Sequence, residues 1–295
     1  MNVVTARVLA PLSPVIYEPV VRAALAEDFG LGGDITSDAV IAPERMATAA
    51  LVARRPGVLA GLDAAIFAFR LLDPAARIEV VVHDGGRLAT GATIATLDLR
   101  AHALLGAERT ALNLLSHLSG IATATARYVE ACAGTRCTIA ETRKTLPGLR
   151  ALEKYAVRAG GGSNHRLRLD DAILIKDNHI AIAGGVSAAL EASRAHAGHL
   201  VKIEIEVDSL TQLREVLAHP AGADCVLLDN FSLDDLREAV LLVAGRVTLE
   251  ASGGVTLESV AAIAATGVDV ISVGALTHSA IALDIGLDVE AARLH

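Results

Sequence analysis

Residues 201–273 repeat one pattern, in which a short β-rich run is followed by a helical stretch. The β-rich runs are VKIEIEV (201–207), CVLL (225–228), VTLE (247–250) and VISV (270–273). Apolar residues at helical spacing lie between them at Leu210–Ala218, Leu233–Val243 and Leu257–Ala265. Strands that alternate with helices form parallel sheets through right-handed crossovers. This stretch therefore predicts an α/β domain.

The same rhythm begins earlier in the chain. Two further β-rich runs, Cys137–Ala140 and Ala172–Lys176, bring the predicted strands to six, and helical stretches follow them at Pro147–Ala159 and Gly185–Ala197. No GxGxxG fingerprint of a dinucleotide-binding sheet accompanies these strands. The pattern therefore favours an α/β barrel, whose active site would lie at the carboxyl ends of the strands.

The first hundred residues predict a separate, smaller α/β unit. Helical spacing covers Tyr17–Ala26, and a second helical stretch at Leu99–Ala131 leads into the barrel. Strand-like runs punctuated by glycine and proline lie between them, at Ala47–Arg54, Gly57–Ala60, Arg77–Val82 and Thr93–Leu99.

Composition narrows the class of protein. Hydrophobic residues make up 53% of the 295 and aromatic residues only 2%, which predicts an aliphatic core of the kind that parallel sheets have. No run of about 20 apolar residues and no signal-peptide layout is found, so we expect a cytoplasmic protein without a membrane span. The three cysteines, Cys132, Cys137 and Cys225, form no CxxC pair and are interpreted as small buried residues.

Charge is unevenly distributed along the chain. The net charge is −8, which argues against nucleic-acid binding. Residues 141–179 nevertheless contain eight Lys or Arg against five Asp or Glu. A locally cationic stretch in an acidic chain indicates an anion-binding site.

A helix is predicted inside this cationic stretch. Thr145 is a candidate cap, Pro147 suits a first turn and Gly160 suits the end. Arg150, Lys154 and Arg158 recur on one face, and like charges at that spacing repel each other. Such a face is either solvated or directed at an anion, and we expect a solvated one.

Ionisable groups follow the predicted strands and define three sub-sites. The first sub-site is cationic and suits carboxylates or phosphates. Its residues are Arg143, Lys144, His165, Arg166 and Lys176. Glu206 and Asp229 on neighbouring strands suit hydrated Mg²⁺. Backbone N–H groups at Ser252-Gly253-Gly254 and at Gly274, with a helix start behind them, suit a phosphate.

These residues lie in motifs that resemble the quinolinate phosphoribosyltransferase family over nearly the whole chain. The motifs are GDITS (33–37), ERTALN (108–113), LSGIAT (118–123), ETRKTLPGLR (141–150), EKYAV (153–157), GGGSNHR (160–166), IKDNH (175–179), EIEV (204–207), LLDNF (227–231), SGGV (252–255) and VGALTH (273–278). A degenerate relative associated with molybdenum-transport operons departs from the KDNH motif, which this sequence keeps.

The resemblance implies a reaction and the residues that serve it. Quinolinate and phosphoribosyl pyrophosphate would give nicotinate mononucleotide, pyrophosphate and CO₂, a step of NAD biosynthesis that needs Mg²⁺. The implied catalytic residues are Lys144, Lys176, Glu206 and Asp229, and the last two would hold Mg²⁺ largely through substrate and water. The implied substrate-binding residues are Arg109, Thr142, Arg143, Lys144, His165, Arg166, Lys176, Glu206, Asp229, Ser252, Gly253, Gly254, Val273, Gly274 and Ala275.

The resemblance also implies an architecture. We expect an N-terminal α/β sandwich at 1–118, to which a C-terminal tail at 280–295 returns, and an open seven-stranded α/β (TIM-like) barrel at 119–279. A homodimer is implied, with Arg109 donated across its interface.

Three questions stay open on the residues alone. Lys176 at a strand end would also suit a Schiff-base aldolase, and a barrel with these charges could bind an anion without catalysis. His165 could be a general acid, although an anion-binding donor is favoured. His179 is expected to hold the loop after Lys176.

Overall fold

The computed structural model describes residues 9–290. Contacts divide these residues into two compact units. The first contains residues 9–126, 145–161 and 279–290, and the second contains residues 127–144 and 162–278.

The first unit packs helices around a four-stranded antiparallel sheet. Its elements are α1 (Pro14–Phe29), α2 (Ile35–Val40), β1 (Met46–Ala53), β2 (Gly57–Val58), α3 (Leu62–Leu72), β3 (Arg77–Val80), β4 (Arg87–Leu88), β5 (Thr93–Arg100), α4 (Ala101–Ala131, which continues into the second unit), α5 (Arg150–Ala159) and, near the C-terminus, β12 (Ile285–Val289). The strand order is β12-β1-β5-β3, and β2 pairs with β4 in a small second sheet. Leu51 lies opposite both Ala95 of β5 and Leu287 of β12, so the C-terminal tail supplies the edge strand.

Alternation along β1 and β5 explains the core of this unit. Ala49, Leu51 and Ala53 of β1 are buried, and so are Leu97 and Leu99 of β5, while the residues between them are more exposed. One apolar face of the sheet therefore packs against the helices, as the period of two requires.

Helix α3 was missed by the sequence pattern, which assigned no element to residues 62–72. Its sequence, LDAAIFAFRLL, is apolar almost all round, and Phe69 is fully buried. The helix also begins without a polar cap, since the residue before it is Gly61 in the left-handed conformation. Asp63 and Arg70, seven residues apart, are its exposed polar residues, so the polar face is marked at only two positions.

Helix α5 differs from its prediction in two respects. It begins at Arg150, and Thr145 accepts a hydrogen bond from the Arg150 side chain (3.0 Å) instead of capping the first turn. The expected solvated face is wrong, because Lys154 is only 2% exposed. Leu152, Ala156, Val157 and Ala159 belong to the core of the first unit, which is why residues 145–161, expected in the barrel, group with that unit.

The second unit is the predicted α/β barrel domain, and all six predicted strands are present. Its elements are β6 (Thr138–Ala140), β7 (Ile173–Ile175), α6 (Asp177–Ala183), α7 (Val186–His196), β8 (Ile203–Val207), α8 (Leu210–Ala218), β9 (Cys225–Asp229), α9 (Leu233–Val243), β10 (Thr248–Ser252), α10 (Val260–Ala264), β11 (Val270–Ser272) and α11 (Ala275–His278). All pairings are parallel, in the order β6-β11-β10-β9-β8-β7.

The sheet has six strands within residues 9–290, where the resemblance implied seven. A single parallel bridge joins Ser163 to Ala140 beyond the β6 edge, at the place of a seventh strand. Gly160, Gly161 and Gly162 precede this bridge, and glycine weakens a strand because it has no side chain to pack. The barrel is therefore open at this edge, and the segment after Ser163 covers it by side-chain contacts.

Candidate active site

One large cavity, of about 740 Å³, lies at the carboxyl ends of the barrel strands. Parallel strands place the residues that follow them at one end of the sheet, which is where barrel enzymes carry their sites. Every predicted substrate-binding residue except Arg109 lines this cavity: Thr142, Arg143, Lys144, His165, Arg166, Lys176, Glu206, Asp229, Ser252, Gly253, Gly254, Val273, Gly274 and Ala275.

Two guanidinium groups and two ammonium groups face this cavity. The pKa of Arg166 is below its ordinary value, because burial removes its guanidinium from water and the positive charge of Arg143 lies close to it. The Nε atom of Arg143 is buried without a hydrogen-bond partner among residues 9–290. Cations held together in this way need an anion between them, since each guanidinium opposes the charge of the other.

A buried carboxylate, Glu141, holds the two cationic loops together. It is fully buried at the end of β6, and its oxygens accept hydrogen bonds from the Asn164 side chain (3.0 Å) and from the backbone N–H of His165 (3.1 Å). Arg166 is anchored next to this contact, where its guanidinium donates to the carbonyl of Ala172 (3.1 Å). These bonds fix the covering segment at the open edge of the sheet.

Both ring nitrogens of His165 are engaged within the protein. Its Nδ1 accepts the backbone N–H of Arg166 (2.7 Å), so the ring N–H that can donate lies on Nε2. Nε2 lies 3.0 Å from Oε2 of Glu204 and 3.6 Å from Oε1 of Glu250. In this arrangement His165 has no free ring N–H for an anion, and it orients Arg166 instead.

His165, Glu204 and Glu250 are also close enough together to suggest a metal site among residues 9–290. A metal on Nε2 would require the ring proton on Nδ1, where the backbone N–H of Arg166 already donates. The three side chains therefore form a cluster at the cavity in which His165 pairs with Glu204 and Glu250 lies beside the pair.

The two carboxylates of this cluster titrate in opposite directions. Burial opposes ionisation of Glu204, but hydrogen bonding and charge from His165, with further help from Cys225 and Arg166, hold its pKa below the ordinary value. Burial, together with the charge of Glu204, raises the pKa of Glu250 to about 7. The cluster thus separates an ionised carboxylate from one that keeps its proton near neutral pH.

Lys176 and Glu206 form an ion pair at the cavity wall. Lys176 is the residue before α6, and its backbone N–H donates to Nδ1 of His179 (2.9 Å). His179 therefore holds the turn after Lys176, as expected from the sequence. The Lys176 side chain remains 47% exposed.

Glycines shape the opposite side of the cavity. Gly253 and Gly254 have positive φ angles of 97° and 57°, and a Cβ atom on Gly253 would lie 2.1 Å from the Asn230 side chain. A Cβ atom on Gly274 would lie 3.2 Å from the Lys144 side chain. The backbone at both places is accessible, as phosphate binding requires. The expected helix start is present behind Gly274, where α11 begins at Ala275, but not directly behind Ser252–Gly254, because α10 begins only at Val260.

Arg109 does not line this cavity. It belongs to the first unit, where its side chain is 67% exposed and contacts Glu108 (3.0 Å). Its proposed role requires a second copy of the chain.

Three buried carboxylates had not been assigned to the site, namely Glu141, Glu250 and, as a partner of His165, Glu204. Their signal in the sequence was an acidic residue inside or directly after an apolar strand run, as in VTLE (247–250). A buried charge is retained only when it is paired or functional. These three positions were therefore also candidates for the site.

Comparisons with known proteins identify the family. Residues 34–119 match the N-terminal domain model of quinolinate phosphoribosyl transferase, and residues 121–288 match the C-terminal domain model. The chain therefore belongs to the quinolinate phosphoribosyl transferase family.

Individual relatives agree with this assignment. The chain is 50% identical over 277 residues to nicotinate-nucleotide pyrophosphorylase [carboxylating] of Mycobacterium leprae, covering 91% of this chain and 95% of that protein. It is 47% identical to the probable enzyme of the same name from Bacillus subtilis, with 89% and 90% covered. The solved structure of nicotinate-nucleotide pyrophosphorylase from Francisella tularensis is 40% identical and superimposes with a TM-score of 0.90, covering 96% and 99%.

Membrane insertion through a helix has no support in the described part of the chain. None of the helices between residues 9 and 290 combines the length and the apolar composition that a membrane span requires.

Proposed function

We propose that this protein transfers the phosphoribosyl group of phosphoribosyl pyrophosphate to quinolinate, with loss of CO₂, to give nicotinate mononucleotide in NAD biosynthesis. The observation that carries the proposal is one cavity that joins four Lys and Arg cations, three carboxylates and a glycine-lined wall. The family to which the chain belongs supplies the reaction.

The cations suit a dicarboxylate substrate. Arg143 and Arg166 offer planar forks that bind carboxylates through two hydrogen bonds each, and Lys144 and Lys176 add point charges. A doubly charged acceptor offsets the repulsion between the two guanidinium groups. Quinolinate has this charge, and its ring nitrogen is the nucleophile that the transfer needs.

Catalysis in this proposal is mainly positioning and electrostatic stabilisation. The ring nitrogen attacks C1 of the ribose as pyrophosphate leaves, and positive charge develops on the sugar. Glu206 and Asp229 bind the ribose hydroxyls, while Lys144 and Lys176 stabilise the leaving pyrophosphate. The accessible backbone at Ser252–Gly254 and Gly274 binds the 5′-phosphate. No covalent intermediate with the protein is required.

Mg²⁺ fits two of these residues. Glu206 on β8 and Asp229 at the end of β9 line the same cavity and present the carboxylate oxygens that Mg²⁺ prefers. Within residues 9–290, neither belongs to a group of three ligating side chains. The ion would therefore take its remaining ligands from substrate oxygens and water, and it would neutralise charge on the leaving pyrophosphate.

We further infer a cytoplasmic homodimer in which Arg109 reaches the cavity of the partner. The exposure of Arg109 within its own unit supports this inference. Co-expression of Arg109→Ala with Arg143→Ala tests it, because one site of a mixed dimer would then contain both arginines. Each variant alone is expected to be inactive and the mixture to regain activity, whereas a mixture as inactive as its parents would contradict the shared site.

A Schiff-base aldolase is the competing assignment for Lys176. Such a lysine needs a desolvated amine, whereas Lys176 is half-exposed and pairs with Glu206. Borohydride reduction in the presence of carbonyl substrates distinguishes the two, since only an aldolase would be covalently labelled.

The experiment that tests the proposed function measures pyrophosphate and CO₂ from the purified protein supplied with both substrates and Mg²⁺. We expect the two products in a ratio of one to one. Binding of both substrates without either product would instead indicate a non-catalytic anion-binding barrel.

A further inference from the structure

The proposed reaction needs a proton that its substrates do not supply at the right place. When the carboxylate next to the ring nitrogen leaves as CO₂, its bonding electron pair stays on the ring carbon. That carbon must gain one proton in every turnover to give nicotinate mononucleotide. This inference rests on the proposed function, and it concerns the group that donates the proton.

We propose that Glu250 is the acid that delivers this proton from the cavity floor. Glu250 lies on β10, lines the cavity and is only 4% exposed. Its Oε1 atom is buried without a hydrogen-bond partner among residues 9–290. Oε1 faces His165 Nε2 at 3.6 Å, and the Glu250 side chain forms part of the cavity wall.

The geometry around Glu250 keeps a proton on it. Glu204 faces it from β8, and two carboxylates in one buried site cannot both be ionised. Glu204 is the ionised member, because it receives hydrogen bonds from His165 Nε2 (3.0 Å) and Cys225 Sγ (3.1 Å).

Charged groups on the other packed elements also change the pKa of Glu250. Glu141 at the end of β6 adds a further negative charge that raises the pKa of Glu250, and His165 opposes it only in part. With burial as the largest cause, that pKa lies at about 7. Such an acid is close to the ideal strength for proton transfer at neutral pH.

The arginines, the lysines and His165 of the cavity are less suitable donors. Arginine does not release a proton in proteins, and both ring nitrogens of His165 are engaged. Lys176 is held by Glu206, and Lys144 lies against Gly274 on the glycine-lined side.

The step balances without a further reactant. The carbon–carbon bond to the leaving carboxylate breaks and CO₂ departs. In the same step the O–H bond of Glu250 breaks and the released electron pair forms the new C–H bond on the ring carbon, which leaves Glu250 as a carboxylate. Water returns its proton when product leaves.

Glu250→Gln tests this assignment, because the amide keeps the shape but cannot donate a proton. In a single turnover with quinolinate, phosphoribosyl pyrophosphate and Mg²⁺, pyrophosphate release should stay near the wild-type rate. Release of CO₂ should become about 100-fold slower, and quinolinate mononucleotide should accumulate and be detectable by chromatography. A merely structural residue would slow both releases together.

The matched control is Asp73→Asn, which also converts a buried carboxylate to an amide. Asp73 accepts hydrogen bonds from Arg100 in the first unit and does not line the cavity. This variant should release both products in step.

Two results would overturn the assignment. One is Glu250→Gln that releases CO₂ and pyrophosphate in step, at the wild-type rate or equally slowed. If this variant does not fold, the wild-type protein supplies the second: a CO₂ release that does not slow relative to pyrophosphate as the pH rises from 6 to 9. A wild-type protein that releases no pyrophosphate would instead refute the proposed function.

Discussion

Two buried histidine–glutamate pairs, one in each unit, have the same chemistry and different surroundings. In the first unit, His117 Nε2 lies 2.8 Å from Oε1 of Glu153, and the other oxygen of Glu153 accepts the backbone N–H of Leu146 (3.2 Å). In the second unit, His165 and Glu204 form a similar pair at 3.0 Å, but Glu250 lies beside them with an unpartnered oxygen.

The difference separates a stabilising pair from a functional one. Glu153 has a protein partner for each oxygen, so its network is complete and stabilises the fold. The pair at the cavity floor is crowded by a second carboxylate, Glu250, which lines the cavity and has an oxygen without a hydrogen-bond partner among residues 9–290. A buried oxygen without a hydrogen-bond partner among the described residues, more than the histidine–glutamate pair itself, distinguishes the cavity cluster.

Removal of Mg²⁺ should give the largest contrast between the two regions. Excess chelator is expected to abolish turnover, because pyrophosphate would leave without its neutralising ion. The thermal unfolding midpoint, to which the first pair contributes, should not change. Added Mg²⁺ should restore the rate. Undiminished turnover in chelator would contradict the proposed role of the metal.

Loss of one guanidinium from the cavity should have the next largest effect. Arg143→Ala is expected to lower kcat/KM several-hundred-fold, about 3 to 4 kcal/mol, because quinolinate would lose a buried charge partner. Circular dichroism should show an unchanged fold. The control is Arg54→Ala in the first unit, whose exposed pair with Asp288 lies on the β1–β12 edge. Wild-type kinetics in Arg143→Ala would refute the assigned pocket.

The pH dependence of stability should distinguish Glu250 from the other buried carboxylates. Its pKa rises from 4.5 to about 7 on folding, so the folded state holds this proton more tightly than the unfolded state. The contribution is fully present below about pH 4.5 and is lost as the pH rises to about 7, on the order of 3 kcal/mol. Urea unfolding of wild type and Glu250→Gln at several pH values measures it. An equal pH slope in both proteins would contradict the assigned proton.

Matched substitutions in the two pairs should have the smallest and most informative effects. Glu153→Gln should lower the free energy of unfolding by about 1 to 3 kcal/mol, because the amide cannot accept from both partners, and should leave kcat and KM unchanged. Glu204→Gln should raise the KM for quinolinate about tenfold, because His165 would no longer orient Arg166 firmly. Steady-state kinetics and urea unfolding measure both variants. A kinetic defect in Glu153→Gln, together with a loss of stability but normal kinetics in Glu204→Gln, would contradict the distinction between the two pairs.

The sequence predicted the barrel and most of its site because both follow from local patterns. Six β-rich runs alternate with helices, and the residues after each run meet at one end of a parallel sheet. The seventh strand was not formed because the glycines before Ser163 leave only one bridge. Helix α3 was missed because only Asp63 and Arg70 mark its polar face and it follows Gly61 without a side-chain cap.

Contacts between distant residues account for what the sequence did not reveal. Lys154 was expected in water because its spacing with Arg150 and Arg158 resembles an exposed face, yet α5 packs into the first unit. The role of His165 depends on which atoms lie near each ring nitrogen. Spacing alone does not place Glu204 and Glu250 beside it.

A comparison of quinolinate with nicotinate as acceptors decides whether this cavity selects a dicarboxylate. Each acceptor is supplied with phosphoribosyl pyrophosphate and Mg²⁺, and nicotinate mononucleotide and CO₂ are measured. We predict product and CO₂ in equal amounts from quinolinate, and a kcat/KM for nicotinate lower by a factor of about 100 or more, because a missing carboxylate leaves partly buried guanidinium groups unpaired. Equal use of nicotinate would contradict the account.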